Sequence, residues 1–235
     1  MKRPFRISLF IFTIGIFSTF CISSQQLLAQ VKVKPSSLIK EKKDTAAWLR
    51  GVYLSVDGIG LIQKVLSDYG QYEAGMRVNI KDKYFPAFEI GYGQANHSDD
   101  VTGIHYNTQA PYGKIGIDFN ILRNKHDIYK LFVGFRYAYT SFRYDISSDK
   151  PVIDPVWGTV ANYGANNVNA SYHWAELIFG LDAKIWGPFH LGWSARYRNK
   201  IYSDEGEVGN VWYIPGYGTK KGSKFWGTFN ISIKI

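Results

Sequence analysis

From residue 50 onward, apolar and polar side chains alternate with a period of two, as in strands that keep one greasy and one polar face. The last segment shows it most cleanly. Phe225, Gly227, Phe229, Ile231, Ile233 and Ile235 fall on one face, and Trp226, Thr228, Asn230, Ser232 and Lys234 on the other. Tyr112–Leu122, Ser171–Trp186 and Phe189–Tyr202 repeat the pattern, and segments 50–58, 71–80, 84–94 and 131–145 follow it less strictly. Eight candidate strands result, an even number that suits a bacterial barrel. Their connections alternate as well. Those near Lys81–Lys83, Arg123–Lys130 and Gly187–Pro188 are short, whereas Ile59–Gly70, Ala95–Ala110, Ile146–Ala170 and Ser203–Ser223 are long. Short turns at one end and long external loops at the other belong to outer-membrane barrels. The pattern therefore predicts an all-β fold, an eight-stranded antiparallel up-and-down transmembrane β-barrel over residues 50–235.

The beginning of the chain reads differently. Met1-Lys-Arg-Pro-Phe-Arg is a positive n-region, Ile7–Ile22 is an apolar run, and a polar stretch from Ser23 leads to Ala29. That order predicts a secretory signal over 1–29, cleaved near Ala29. The apolar run is shorter than the ~20 residues of a spanning helix, and Phe20 is too bulky to precede a lipidated Cys21. Cleavage removes the one Cys together with Lys2, Arg3 and Arg6, so the formal charge falls from +9 to +6 (9 − 3). A mature chain without thiols has no disulfide, no Cys-ligated metal and no thiol nucleophile. Residues 30–49 read as a flexible, lysine-rich periplasmic arm. No basic cluster resembles a nucleic-acid footprint, which sets that partner aside. The mean hydropathy of −0.19 leaves no room for a later spanning helix, so a membrane form of this chain must be a closed barrel.

A soluble barrel around a ligand shares this periodicity with its faces exchanged. Two features favour the membrane version. Glycines lie on the polar face (Gly75, Gly91, Gly116, Gly134, Gly180, Gly192), as a crowded lumen requires. Aromatics gather near strand ends (Tyr84, Phe85, Tyr92, Tyr139, Tyr172, Trp186, Phe189, Tyr197, Phe225), where interfacial girdles belong. The polar face then carries the acids Asp57, Glu73, Glu89, Asp118, Glu176 and Asp182 and the bases Arg77, Lys114, Arg136, Lys184, Arg196, Arg198 and Lys234. Eight strands leave an interior that side chains fill, and charges withdrawn from water must pair. The expectation is a lumen plugged by an ion-pair network.

The chemistry of the loops is sparser. Asn96-His-Ser-Asp-Asp100 and His105 bring triad residue types close in sequence, but neighbouring side chains diverge, and a triad is defined by geometry. No zinc or EF-hand spacing is present, so neither a metal nor a cofactor is expected. His173 and His190 read as rim or lumen hydrogen-bonders. Trp157, Tyr163, Trp212, Tyr213 and Tyr217 lie in long loops and are candidates for recognition, since rigid aromatics give large contact area. The competing use is to fold the loops onto each other or to rest at the headgroup boundary.

The runs Tyr84-Phe-Pro-Ala-Phe-Glu-Ile-Gly-Tyr-Gly, Thr102-Gly-Ile-His-Tyr, Asp154-Pro-Val-Trp-Gly, Phe189-His-Leu-Gly-Trp-Ser-Ala-Arg-Tyr and Trp212-Tyr-Ile-Pro-Gly-Tyr-Gly resemble an uncharacterised family of small outer-membrane β-barrel proteins from Bacteroidetes. OmpA- and OmpX-type barrels would be its broader relatives. The resemblance implies fold and location, and no catalytic residues. Asp44-Thr45-Ala46 also looks like the O-glycosylation acceptor of that phylum, with Thr45 as its site. The leading functional expectation is a non-enzymatic barrel with a structural or interaction role through its external loops, serving as an accessory subunit of an envelope complex. Its partners would be outer-membrane lipid and lipopolysaccharide, a surface glycan or another envelope protein. The alternatives are a lipid A-modifying barrel enzyme, an acyl hydrolase or acyltransferase with His97 or His105 at the rim, and a narrow channel.

Overall fold

The computed structural model describes residues 47–153, 158, 160–161, 163–222 and 224–235. The signal segment, Cys21, Thr45, nearly all of the arm and Trp157 lie outside them. Eight strands carry the alternation: β1 (Leu49–Asp57), β2 (Tyr69–Ile80), β3 (Tyr84–Asp99), β4 (Ile104–Asn120), β5 (Tyr129–Ser148), β8 (Gly164–Trp186), β9 (Phe189–Asp204) and β12 (Phe225–Lys234). Each pairs antiparallel with its neighbours, and β12 returns to β1, so the sheet closes into an up-and-down barrel. Two small hairpins complete the strands: β6 (Val152–Ile153) with β7 (Val160–Ala161), and β10 (Tyr213–Ile214) with β11 (Gly218–Thr219).

The sides of the wall follow from the alternation. On β5, Phe132, Arg136, Ala138, Thr140 and Tyr144 are buried inside while Phe135, Tyr137 and Tyr139 are exposed outside. On β8, Glu176, Ile178 and Asp182 point in and Leu177, Phe179 and Leu181 point out. The greasy face is therefore the exterior, the reverse of a soluble ligand barrel. Two girdle assignments need correction. Phe85 and Tyr172 are buried in the interior, because the period-two count places them one residue away from the outward positions.

Turns 81–83, 121–128 and 187–188 mark one end of the barrel, called here the turn end. Pairing begins slightly before residue 50. Leu49 pairs with Ile80, and the Trp48 carbonyl accepts from the Lys81 N–H at 3.1 Å. The opposite, loop end is more ordered than the sequence suggests. The segment 59–70, expected as a loop, begins with helix α1 (Gly58–Leu66). Asp57 caps it, accepting from the N–H groups of Ile59 and Gly60 at 3.1 and 3.2 Å, which satisfies two of the otherwise orphaned first-turn donors. Segment 95–110 is mostly strand, because β3 and β4 run on as a hairpin to a turn at 100–103. Asn96, expected in that loop, pairs with Asn107.

Candidate functional site

The lumen is filled in tiers, and the central one begins with two glycines. Gly116 lies opposite Arg136, and Asp118 lies opposite Gly134. A Cβ on Gly134 would fall 1.9 Å from Asp118 Oδ1, and one on Gly116 2.8 Å from Arg136 Cδ. The missing side chains let Arg136 and Asp118 cross the two strands diagonally. They meet bidentately, with Nη1 to Oδ1 at 2.7 Å and Nη2 to Oδ2 at 2.9 Å. Arg136 Nε also reaches Glu89 at 3.1 Å, and Glu89 accepts from Arg196 at 2.7 Å. Glu176 stands 3.2 Å from Lys114, 3.2 Å from Arg196 and 3.3 Å from Arg198, and it accepts the Trp174 indole N–H at 2.8 Å. Glu73 meets Lys114 at 2.8 Å, Arg196 at 3.3 Å and the Tyr112 hydroxyl at 2.9 Å. Glu73, Glu89, Asp118 and Glu176 thus balance Lys114, Arg136, Arg196 and Arg198. The void beside this cluster is about 40 Å³, room for a few waters at ~10–15 Å³ each.

Towards the turn end, Asp182 pairs with Arg77 and with His190 Nδ1, both at 2.8 Å. The Arg77 guanidinium also lies over the rings of Tyr53 and Phe132, 5.6 and 5.1 Å from their centroids. Three residues expected in the network make no ion pair among the described residues. Asp57 is used as the cap of α1 and also accepts from the Phe229 N–H. Lys184 keeps the inward register, opposite the buried His190, but it lies two residues from the end of β8 and is exposed there. The Lys234 ammonium faces the Tyr53 ring at 5.7 Å.

One cluster was not foreseen. Lys81 and Asp82 both adopt left-handed backbone, with φ of 53° and 54°, and this tight turn folds the Asp82 carboxylate back towards the strand. It receives Asn79 Nδ2 at 2.7 Å, Arg50 at 2.6 Å, His126 Nδ1 at 2.8 Å and Lys130 at 3.4 Å. Burial alone would raise the carboxyl's pKa. The hydrogen bonds from Asn79 and His126 and the charges of Lys130 and Arg50 outweigh it and hold the group below the ordinary value. A Lys-Asp-Lys turn reads as solvated; the available signal was Asn79, three residues upstream.

At the loop end the hairpin β10–β11 folds inward. Its Pro215 packs so close to β3 that a Cβ on Gly93 would lie 2.8 Å from Pro215 Cα. The Tyr106 hydroxyl donates to the Tyr213 carbonyl at 2.8 Å, and the Tyr213 hydroxyl donates to the Gly70 carbonyl at 3.2 Å. Tyr213 is buried, which corrects its expected role as an exposed contact residue. Trp212 stacks on His97 at 4.0 Å, Tyr217 packs on Tyr172 at 4.9 Å, and Tyr163 leans on the same apolar cluster. Among the described residues, the loop aromatics fold onto each other at this end of the lumen.

On the outer face of the β3–β4 extension, register places Ser98 opposite His105. Ser98 Oγ is 2.7 Å from His105 Nδ1, and His105 Nε2 is 2.6 Å from Asp149 Oδ2. The residue types are those of a hydrolytic triad with the two ring nitrogens exchanged. In a working triad the acid is buried and orients the ring; the Asp149 side chain is 74% exposed. His97 faces Asp68 at 3.2 Å instead.

A family model described as Domain of unknown function (DUF6048) matches residues 5–235. The chain belongs to this family. No curated protein matches this chain. Three solved barrels are similar to it. The N-terminal β-barrel domain of Pseudomonas aeruginosa OprF is 12% identical, with 80% of this chain and 99% of that one covered and a TM-score of 0.31. Acinetobacter baumannii CarO2 is 12% identical, with 80% and 97% covered and a TM-score of 0.36. Acinetobacter baumannii CarO is 13% identical, with 83% and 99% covered and a TM-score of 0.37. For this DUF6048 chain the architecture rests on its own strand pairing.

Proposed function

We propose that this protein is a bacterial outer-membrane barrel without a through-pore, whose loop end is its working surface. Its role is structural or interactive, towards lipopolysaccharide, a surface glycan or another envelope protein. The observation that carries the reading is the exterior. Leu54, Phe88, Ile90, Ile115, Phe135, Leu177, Phe179, Trp193 and Ile231 are all exposed around the ring, a continuous apolar surface that water does not tolerate. Exposed aromatics flank it, with Tyr84, Trp186 and Phe189 towards the turns and Tyr92, Tyr139 and Tyr197 towards the loops. The step from Tyr84 to Tyr92 is about 26 Å along the strand at ~3.3 Å per residue, which is ~20 Å of height at a tilt of ~40° and spans most of the ~25 Å apolar band of such barrels. β1 starts at the turn end with Leu49 paired to Ile80, and we read that end as periplasmic.

Two measurements test this. The folded chain should resist SDS at room temperature and shift its mobility after boiling; release into a detergent-free soluble fraction would overturn the membrane reading. Planar-bilayer recordings should be silent, since the balanced central cluster occupies the lumen, and discrete conductance would overturn the plug. Affinity purification from native membranes addresses the partner. A second reading, hydrolysis at Ser98, His105 and Asp149, is favoured by their distances alone. An unchanged lipid A acyl pattern in a deletion strain removes it.

A further inference from the structure

Above Asp57 the ring of strands is interrupted. The last pairings of β1 are Asp57 with Asn230 and Val56 with Ala74. Beyond them β2 continues to Tyr69 paired only with β3, and β12 continues to Phe225 paired only with β9. Helix α1 covers this gap. Gly60 sits so close to β2 that a Cβ there would be 2.6 Å from the Gln71 carbonyl oxygen, and Gly58 rests beside Phe229. The infolded β10–β11 hairpin lies on the inner side. Between helix, hairpin and the ends of β2, β9 and β12 remains a cavity of about 250 Å³.

Three of the residues that line it hold idle donors just behind its surface. Gln71 Nε2, Arg198 Nη2 and Trp226 Nε1 are buried and have no hydrogen-bond partner among the described residues. Arg198 is committed only in part. Its Nη1 donates to the Tyr217 carbonyl at 2.5 Å, and its Nε stands 3.3 Å from Glu176, a carboxylate that also serves Lys114 and Arg196. The guanidinium lies over the Trp226 ring, 5.1 Å from its centroid, so charge and aromatic face are presented together. Buried donors without acceptors are costly, and a cation with a spare donor favours an oxyanion. The cavity is larger than a bare oxyanion, and the rest of its wall includes Tyr213, Tyr217 and Trp226, flat surfaces suited to the face of a ring.

We propose that this cavity binds an anionic pyranose. Its carboxylate or phosphate meets Arg198 Nη2, Gln71 Nε2 and Trp226 Nε1, while a ring face lies against the tyrosines. The inference rests on the loop end being the working surface, and it gives that surface a ligand class. The test is isothermal titration of the refolded chain in detergent with D-glucuronate and with glucose 6-phosphate, using glucose and inorganic phosphate as controls. At least one anionic sugar should bind tenfold or more tightly than either control. Arg198→Gln should weaken that binding at least tenfold, the scale expected when a charged hydrogen-bond donor is lost, and Trp226→Phe severalfold. Both variants should keep the heat-shifted gel band of a folded barrel. Binding no tighter than glucose, or unchanged in Arg198→Gln, overturns the site and leaves a water-filled cavity. Inorganic phosphate binding as well as the sugars overturns the pyranose. A chain that binds but shows no heat shift overturns the membrane reading instead, so the two failures are distinguishable.

Discussion

Asp118 and Arg136 permit a sharp test of how the lumen is held. Asp118 has Arg136 as its only ion-pair partner among the described residues, through two bonds of 2.7 and 2.9 Å, and both side chains are buried. Arg136→Met leaves Asp118 charged and unpaired, whereas Glu89 retains Arg196 at 2.7 Å. Asp118→Leu leaves Arg136 with Glu89 alone, at 3.1 Å. Removing one member of a buried pair costs about 3–5 kcal/mol, and the Arg136 variant should sit at the upper end because its stranded carboxylate has no second cation. The double variant strands neither residue of the pair. It should therefore be more stable than the sum of the single losses by at least ~2 kcal/mol, within the range seen for contacting residues. The assay is urea unfolding of the barrel in lipid vesicles, followed by tryptophan fluorescence and by the heat-shifted gel band. Single losses that add to within ~0.5 kcal/mol would refute the pairing, since that is how independent sites behave.

Further predictions follow from the same contacts. Gly134→Ala places a methyl where Asp118 Oδ1 stands; it should destabilise by about 3 kcal/mol or more by breaking the bidentate pair, seen as a lower urea midpoint. Asp82 has a folded-state pKa below its unfolded value, so its stabilisation is present above pH ~4 and is lost as pH falls through the folded value. The difference in urea midpoint between the wild type and Asp82→Asn should therefore shrink as the pH is lowered from 5 towards 2, and a constant difference would contradict this. Lys81→Gly removes a side chain from left-handed backbone and should stabilise by up to ~1 kcal/mol. A fluorophosphonate probe should leave Ser98 unlabelled, because Asp149 is too exposed to activate His105; labelling that disappears in Ser98→Ala would revive the hydrolase.

The strands were legible because alternation is local: Phe135 and Arg136 declare opposite faces without reference to anything distant. Much of the central tier was legible for the same reason, since a charge buried in a narrow barrel needs a partner, although Asp57 serves as a helix cap and not in an ion pair. Lys184 escaped because it stands at the turn end of β8, where an inward position already meets water, and a sequence period does not report depth. Helix α1 was readable in principle. Asp57 is a good cap, and Ile59, Ile62 and Leu66 recur at helical spacing, but a segment this short between strands looks like a loop. The mouth was hidden because whether Trp212 and Tyr213 face solvent or fold inward depends on contacts with His97 and Gly70, more than a hundred residues away. Ser98 and His105 meet only once the hairpin register is known. The idle donors of the cavity come from β2, β9 and β12, and only closure of the ring assembles them.

That closure is uneven. β5 and β8 are zipped from Tyr129 to Ser147, whereas β1 and β12 join only from Tyr53–Lys234 to Asp57–Asn230, with the hydrogen bonds between Val52 and Ile235 beyond. The other barrel seams can grow outward from a local turn or connection. This one must bring together residues almost the whole described chain apart, so its loop-closure entropy is the largest in the molecule. Contacts of such high order form late. The β1–β12 seam is therefore the last to close during assembly and the first to part when the wall is pulled, and its stiffness sets the lifetime of the closed barrel.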